Sequence, residues 1–241
     1  MRLICIYCVF TFLLSLVGYA QVSIDTSHLL KDYQVIHIKF QPELSNHPLV
    51  LREKVFVREI QDSITVNKLK LYLSDITFSY GKDLDIATKK RFYLMDMEDP
   101  ESMDLRFTVP SELDLISLNF SLGIDSATQM QGAKGGELDP LNGMYWSWQS
   151  GYINFKLEGT ANKCPARNNI FQFHIGGFMS PYNTIQKVEI PIGYSTDLVV
   201  IMDLDQLFTL DNITHNYQIM SPNKKAMTFA GQLPNIFSVL P

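Results

Sequence analysis

Short runs in which apolar and polar residues alternate recur along this chain from residue 35 to residue 204. In MDLRFTV, residues 103–109, every second side chain is apolar, and an extended chain places these side chains on one face. Turn-forming pairs such as Asp99-Pro100 and Gly176-Gly177 separate the runs. The pattern therefore predicts short strands, each of which buries one face.

The same alternation assigns a face to each side chain of the predicted strands. In KLKLYLSD, residues 68–75, Leu71 and Leu73 share one face and Tyr72 lies on the other. In LISLNFSLGI, residues 115–124, the alternation predicts four inward side chains: Ile116, Leu118, Phe120 and Leu122. Each strand thus contributes one apolar face to a shared core.

Helix signals are few and lie near the C-terminus. Residues 205–210 favour one or two helical turns, and SPNKKAMTFAGQL, residues 221–233, offers Ser221 as an N-cap with Pro222 at the first helical position. We therefore predict an all-β fold, an antiparallel β-sandwich with one or two short helices near the C-terminus. A partly open barrel is the alternative. No repeat or linker divides the chain, which predicts a single domain over residues 21–241.

The first twenty residues have the pattern of a signal peptide. Arg2 precedes an apolar run from Leu3 to Val17, and the small residues Gly18 and Ala20 precede the predicted cleavage point after Ala20. The run is short for a transmembrane helix, so we expect no membrane anchor after cleavage. The predicted mature protein is exported, to the periplasm or to the extracellular space.

Charge and cysteine content narrow the function classes. A net charge of −5 argues against nucleic acid as a partner. Signal cleavage leaves Cys164 as the remaining one of three cysteines, which predicts no internal disulfide. Its polar neighbourhood, ANKCPARNN, indicates a surface loop. Neither a nucleotide-binding glycine loop nor a Gly-x-Ser-x-Gly elbow is present, so we predict that the protein is not an enzyme.

The sequence is compatible with two kinds of metal site. His174, in FQFHIGG, is the strongest histidine candidate, because two glycines follow it and permit a close approach of a ligand; a hydrogen-bonded histidine at a strand end is the alternative. Three carboxylates in a glycine-rich loop provide oxygen ligands for Ca²⁺, without the spacing of an EF-hand: Asp125, Glu137 and Asp139. A solvated loop is the alternative for these carboxylates.

Both tryptophans of the chain lie in GMYWSWQSGY, two residues apart. In an extended chain Trp146 and Trp148 point to the same side. They predict either the end of an apolar core or a stacking platform for a ligand such as a sugar or a peptide.

The chain resembles the MbnP family of exported bacterial copper-binding proteins. The resemblance lies in FSLGIDSATQMQGAKGGELDPLNGMYWSWQSGYINFKLEG, residues 120–159, followed by FQFHIGG, and extends to KLKLYLSDITF. It implies a mainly β-sandwich fold and copper bound through histidine and a tryptophan oxidised to kynurenine. A di-haem peroxidase partner that performs this oxidation is also implied.

Applied to this sequence, the resemblance implies a set of candidate residues. Trp146 and Trp148 are the oxidisable or stacking pair, and the candidate copper ligands are His174, His47 and His215. The chain departs from the copper-binding pattern at Trp148, where that pattern has a histidine two residues after the modified tryptophan. Two further readings stay open: a metal-free secreted binding or interaction module, and a surface module that binds Ca²⁺ or a glycan.

Overall fold

The structure is a computed structural model that describes residues 32–81, 84–111, 114–148, 151–193 and 195–240. The predicted signal peptide, residues 1–20, lies outside the described residues. Within the described part of the chain, no helix has the length and apolar character needed to cross a membrane.

Strands dominate the described chain. Their bounds are β1 (Tyr33–Leu44), β2 (His47–Pro48), β3 (Lys54–Val57), β4 (Asp62–Tyr80), β5 (Leu84–Ala87), β6 (Phe92–Asp96), β7 (Asp104–Pro110), β8 (Leu115–Leu122), β9 (Tyr145–Trp146), β10 (Gly151–Ala161), β11 (Ile170–Gly176), β12 (Gln186–Pro191), β13 (Asp197–Asp203), β14 (Gln218–Ile219) and β15 (Phe237–Val239). Three short helices join them: α1 (Ser126–Met130), α2 (Leu210–Thr214) and α3 (Lys224–Ala230).

The strands form two sheets. The first has the order β15-β13-β1-β2, and β7 also pairs with β1. The second has the order β12-β8-β4-β10-β11-β14, with β3, β5 and β6 paired to β4 and β9 paired to β10. Most pairs are antiparallel, but β1 runs parallel to β13 and β11 runs parallel to β14.

The main core lies between the two sheets. Aromatic rings from opposite sheets meet there: the ring centroids of Phe40 and Phe120 are 6.2 Å apart, and those of Phe78 and Phe107 are 5.3 Å apart. Edge-to-face pairs of this kind stabilise a core beyond the burial of their area. The predicted all-β sandwich is confirmed.

One of the four predicted inward side chains of β8 points out. Ile116 is 46% exposed, because the register between β4 and β8 shifts there: Ser79 pairs with Ser117, whereas the next residue, Tyr80, pairs with Leu115. The extra residue is a β-bulge, which breaks the alternation locally. The other three predictions for this strand are confirmed, since these side chains are buried: Leu118, Phe120 and Leu122.

The surface loop predicted around Cys164 is confirmed, but the Cys164 side chain itself points inward. Its side chain is buried, and Sγ donates to the carbonyl oxygen of Ile170 at 3.2 Å. Burial raises the pKa of this thiol. The polar residues around it, such as Lys163, are exposed. These residues surround the Cys164 side chain, which points inward, and local composition does not predict its burial.

The helix prediction is confirmed in outline and corrected at its start. Helices α2 and α3 lie near the C-terminus, but the N-cap of α3 is Asn223, whose side chain accepts from the backbone N–H of Ala226 at 2.9 Å, and not Ser221. Helix α1 was not predicted from the sequence. It spans five residues and is capped by Asp125, which accepts from the N–H of Thr128.

Candidate functional site

A second apolar cluster lies on the far side of the second sheet from the main core. Tyr72 alternates along β4 with Leu71 and Leu73, so its ring emerges on the outer face while the leucines enter the main core. We call this the outer cluster; its buried members are Tyr72, Ile124, Leu138, Met144, Trp146, Tyr152 and Ile153. It forms because the segment 123–148 folds across the outer face of β4 and β10.

We call residues 123–148 the covering segment. Two tyrosine hydroxyls connect it to the sheet by hydrogen bonds. The hydroxyl of Tyr72 donates to the carbonyl oxygen of Glu137 at 2.9 Å, and that of Tyr152 donates to the carbonyl oxygen of Leu138 at 3.0 Å. The Tyr152 oxygen also accepts from the N–H of Lys134 at 3.0 Å. Burial raises the pKa of both tyrosines, so both hydroxyls keep their protons at neutral pH.

The two tryptophans are neighbours with different environments. Trp146 is 6% exposed and belongs to the outer cluster, whereas Trp148 is 65% exposed. Their ring centroids are 5.8 Å apart at an interplanar angle of 45°. The Trp146 ring packs on Gly176, where a Cβ atom would lie 2.8 Å from its Cζ3 atom, so only glycine fits there. Trp146 is thus part of a core, and Trp148 is part of the surface.

A cleft of about 160 Å³ opens beside Trp146. Its other lining residues come from separate parts of the chain: Gln129, Gly151, Gly177, Phe178, Met179, Ser180, Tyr182 and Pro222. The indole Nε1 atom of Trp146 is buried and has no hydrogen-bond partner among the described residues. A buried N–H without a partner is rare in folded proteins and costs free energy. Its accessible area is close to zero, so this N–H is enclosed by the packing around Trp146.

Gln129 forms the polar side of the cleft, and its amide is already engaged. Its Nε2 donates to the carbonyl oxygen of Ile124 at 2.9 Å, and its Oε1 accepts from the N–H of Tyr152 at 2.9 Å. These bonds tie α1 to β10 and hold the wall of the cleft. Both ends of the Gln129 amide are therefore hydrogen-bonded within the protein, and the side chain forms part of the cleft wall.

His174 lies in a buried charged group on the same outer face. Its Nε2 is 2.6 Å from Oε1 of Glu158, and Nζ of Lys156 is 3.7 Å from the same oxygen. Lys156 also donates to the carbonyl oxygen of Gly143 at 2.8 Å, which anchors the turn before Trp146. The hydrogen bond with His174 lowers the pKa of Glu158, and burial lowers the pKa of Lys156.

The three candidate histidines lie on separate elements. His174 is in β11, His47 is exposed in β2, and His215 is exposed at the end of α2, where its Nδ1 is 2.7 Å from the hydroxyl of Thr214. In the parts of the chain that the structure describes, no group of three or more His, Cys, Asp or Glu side chains is placed to hold a metal ion. The assignment of these histidines as copper ligands stays a prediction.

The carboxylates of the glycine-rich loop have protein partners. Asp125 caps α1 and is 3.1 Å from a guanidinium nitrogen of Arg91. Glu137 pairs with Lys90 at 2.5 Å, and Asp139 accepts from the N–H of Leu141. Each carboxylate thus stabilises the covering segment locally.

Sequence reasoning identified Trp146 and missed the rest of the cleft. Four side chains of the cleft come from two segments that carried no prediction of a site: Phe178, Met179, Tyr182 and Pro222. A signal for the first segment exists in GGFMSPYN, residues 176–183, where large apolar residues follow a glycine pair and cannot all be buried by a turn. Pro222 carried no such signal.

The fold is a β-sandwich with an apolar cluster and a cleft outside the main core. The family model of MbnP matches residues 33–227. The chain belongs to the MbnP family, which confirms the resemblance found in the sequence.

A solved structure supports the fold. The chain is similar to MbnP from Methylosinus trichosporium, with a TM-score of 0.55 and 14% sequence identity over 73% of this chain and 78% of that chain. At this identity the likeness shows the fold. A comparison with curated proteins found no match.

Proposed function

We propose that this protein is an exported binding protein of the MbnP family, and that its ligand site is the cleft beside Trp146. The observation that carries the proposal is a cleft of about 160 Å³ whose lining is mainly apolar and aromatic. Binding sites for small molecules are concave and mostly apolar, with few polar groups that fix orientation. The cleft has this composition. Of the readings left open by the sequence, the metal-free binding module is favoured.

The unmodified residues at this site do not fit copper. An indole nitrogen donates a hydrogen bond and offers no lone pair to a metal. His174 supplies an imidazole, but its Nε2 is hydrogen-bonded to Glu158 at 2.6 Å. Copper favours imidazole, thiolate and, as Cu(I), thioether ligands, and the Met179 thioether is the one such group among the residues that line the cleft. A single thioether does not make a copper site.

Copper binding is a second candidate function, and it depends on modification of a tryptophan. The exposure of Trp148 favours it, because an external oxidant such as a di-haem peroxidase partner reaches an exposed indole more readily than the buried Trp146. Conversion to kynurenine would expose an aromatic amine, a nitrogen ligand suited to copper. His174 is the candidate histidine for such a site, because it lies on β11, the strand whose Gly176 contacts the Trp146 ring.

Mass spectrometry of the protein isolated from its native host tests the copper candidate. The mass change of a tryptophan-to-kynurenine conversion, together with Cu(I) binding that weakens in His174→Ala, would favour copper. An unmodified mass removes this candidate, and equal Cu(I) affinity of the wild type and His174→Ala removes His174 as a ligand.

A cleft-filling variant tests the binding site itself. A Cβ atom at Gly151 meets Gln129 Oε1 at 3.5 Å and Phe178 Cε1 at 3.8 Å, both ordinary contacts, so Gly151→Val fills the cleft without a clash at Cβ. Ligand-observed NMR with neutral single-ring fragments is the measurement. We expect fragments to bind the wild type and to lose binding in Gly151→Val. The control is Gly135→Ala, because nothing lies within 4 Å of a Cβ atom at this position.

Two results would contradict the proposed site. One is that no neutral fragment binds the wild type. The other is that fragments bind Gly151→Val and the wild type equally, which would place their site elsewhere on the molecule.

A further inference from the structure

We propose that the open side of the β-sandwich, between β7 and β5, binds an extended acidic segment of a partner protein, which pairs with the free edge of β7. This surface shares no lining residue with the cleft beside Trp146, so the inference goes beyond the proposed function. Three observations carry it: outward backbone groups on β7, an apolar groove beside them, and positive charges around this groove.

Strand β7 is an edge strand whose outward backbone groups are unpaired. Among the described strands it pairs with β1 alone. The N–H of His37 in β1 donates to the carbonyl oxygen of Thr196, so the backbone groups of His37 point away from β7. His37 lies opposite Arg106, which makes them a non-hydrogen-bonded pair of the antiparallel ladder. The N–H and C=O groups of Arg106, and by alternation those of Thr108, therefore point outward.

An unpaired edge of this kind is a template for a further strand. Within the described residues, the backbone groups of Arg106 and Thr108 have no hydrogen-bond partner. An extended peptide that adds to a sheet edge gains its affinity from main-chain hydrogen bonds and its specificity from pockets for alternate side chains. The edge of β7 therefore specifies a ligand with a peptide backbone.

An apolar groove of about 500 Å³ lies beside this edge, between the two sheets. Residues 106–109 of β7 line it on one side, and residues 86–90 line it on the other. Its buried part is aromatic, because the Phe107 ring lies 5.3 Å from that of Phe78 and 5.9 Å from that of Tyr93, measured between centroids. In a strand added to β7, every second side chain points towards this groove. These side chains of the peptide should be apolar.

The charged residues that line the groove are all cationic: Lys89, Lys90 and Arg106. Lys90 is paired with Glu137, whereas the Arg106 side chain is 75% exposed and its Nε is 4.0 Å from the nearer carboxylate oxygen of Asp104. Opposite charges on neighbouring strands stabilise their pairing, and like charges oppose it. The outward side chains of the peptide should therefore be acidic. A second copy of this chain would instead bring the same cationic edge.

A blocked five-residue peptide in which valine and glutamate alternate is the probe, and a valine–lysine peptide is its matched control. Calorimetric titration of the full mature chain at low salt is the first measurement. We expect the glutamate peptide to bind and the lysine peptide to bind about tenfold more weakly. Hydrogen exchange is the second measurement: the amide protons of Arg106 and Thr108 should exchange more slowly with bound glutamate peptide. This readout requires no variant.

Thr108→Pro tests the backbone contact, because it removes one outward N–H and leaves the ladder with β1 in place. We expect it to abolish binding of the glutamate peptide. The matched control is Glu189→Pro in β12, an edge strand of the second sheet outside the groove. Ile192 N–H donates to Ile116 across to β8, so by alternation the N–H of Glu189 also points outward. This control should bind the peptide as the wild type does.

Arg106→Glu tests the charge. It places a like charge beside the glutamate peptide, so we expect an affinity about tenfold lower than that of the wild type. Lys54→Glu is the matched control, since it makes the same charge change at an exposed strand residue outside the groove. Its affinity for the peptide should stay within about twofold of the wild type.

Several results would overturn the inference. They are the absence of peptide binding, equal binding of the two peptides, unslowed exchange at Arg106 and Thr108, and unchanged binding in Thr108→Pro. Binding of decanoate without slowed exchange would assign the groove to fatty acids, and self-association that Thr108→Pro abolishes would assign the edge to a second copy. Gly151→Val should bind the peptide as the wild type does, so this inference and the proposed cleft fail independently.

Discussion

Glu158 connects the side chains of His174 and Lys156, near the turn before Trp146. His174 is its hydrogen-bonding partner at 2.6 Å, and Lys156 extends the connection to the carbonyl oxygen of Gly143. A polar network inside a protein holds its members in one arrangement only while every member has a partner. The charge on Glu158 therefore supports the position of the turn that carries the tryptophan.

Replacement of Glu158 makes stability less sensitive to acid. The folded pKa of Glu158 is lowered, mainly by its hydrogen bond with His174, so its stabilisation is present above the unfolded pKa of about 4.3 and is lost as the pH falls through the folded pKa. We expect Glu158→Gln to cost about 1–3 kcal/mol at pH 7 and to lose less stability than the wild type towards pH 3. Urea unfolding across this range is the measurement.

The control for this prediction is Glu189→Gln, because Glu189 lies exposed in β12. We expect its acid dependence to follow that of the wild type. A Glu158→Gln variant that is as stable as the wild type at pH 7 would contradict the role given to this carboxylate.

The covering segment 123–148 is the element that makes the site. It consists of short elements, namely α1, two single 3-10 turns and β9, and side chains help to hold it in place. The Tyr152 hydroxyl accepts from the N–H of Lys134 and donates to the carbonyl oxygen of Leu138. Because β10 supplies this tyrosine, the position of the segment depends on the sheet below it.

Loss of the Tyr152 hydroxyl should loosen the middle of this segment. Tyr152→Phe leaves two backbone groups of residues 134–138 without a partner, and we expect a loss of about 1–3 kcal/mol in local stability. Hydrogen exchange of residues 131–139 is the measurement, because local opening raises exchange rates. The exposed Tyr33 provides the control variant, Tyr33→Phe, which should exchange as the wild type does. Unchanged exchange in Tyr152→Phe would be inconsistent with this role.

At the scale of the whole molecule, two apolar cores share strands. Leu71 and Leu73 of β4 enter the main core while Tyr72, between them, enters the outer cluster. Phe155 and Ile153 of β10 also belong to different cores, because the register of β10 against β11 shifts between them. The outer cluster therefore cannot persist when the strands below it separate.

We expect both cores to unfold in one transition. The two tryptophans report on the outer cluster and its rim, whereas far-ultraviolet circular dichroism reports on the sheets. Coincident urea transitions by the two probes are the signature of two-state unfolding. A tryptophan transition at clearly lower urea would show that the outer cluster melts independently, and Tyr152→Phe should then lower this first midpoint alone.

The sequence by itself determined the strands, their buried faces and the family. The strands and their buried faces follow from local alternation, which depends only on the period of two of an extended chain, whereas the family follows from the motif that contains both tryptophans. The prediction failed at Ile116, where a bulge breaks that period. The bulge leaves no signal in hydropathy, since it depends on pairing with β4, a distant segment.

Only the tertiary structure determined which tryptophan is buried and which is exposed. The sequence placed Trp146 and Trp148 together, but their division into a buried and an exposed ring depends on Gly176 in β11. The cleft likewise joins Gln129 to residues 177–182 and to Pro222. Segments so far apart in the chain meet only after strand pairing has closed the loops between them, which is why no local pattern in the sequence specifies their meeting.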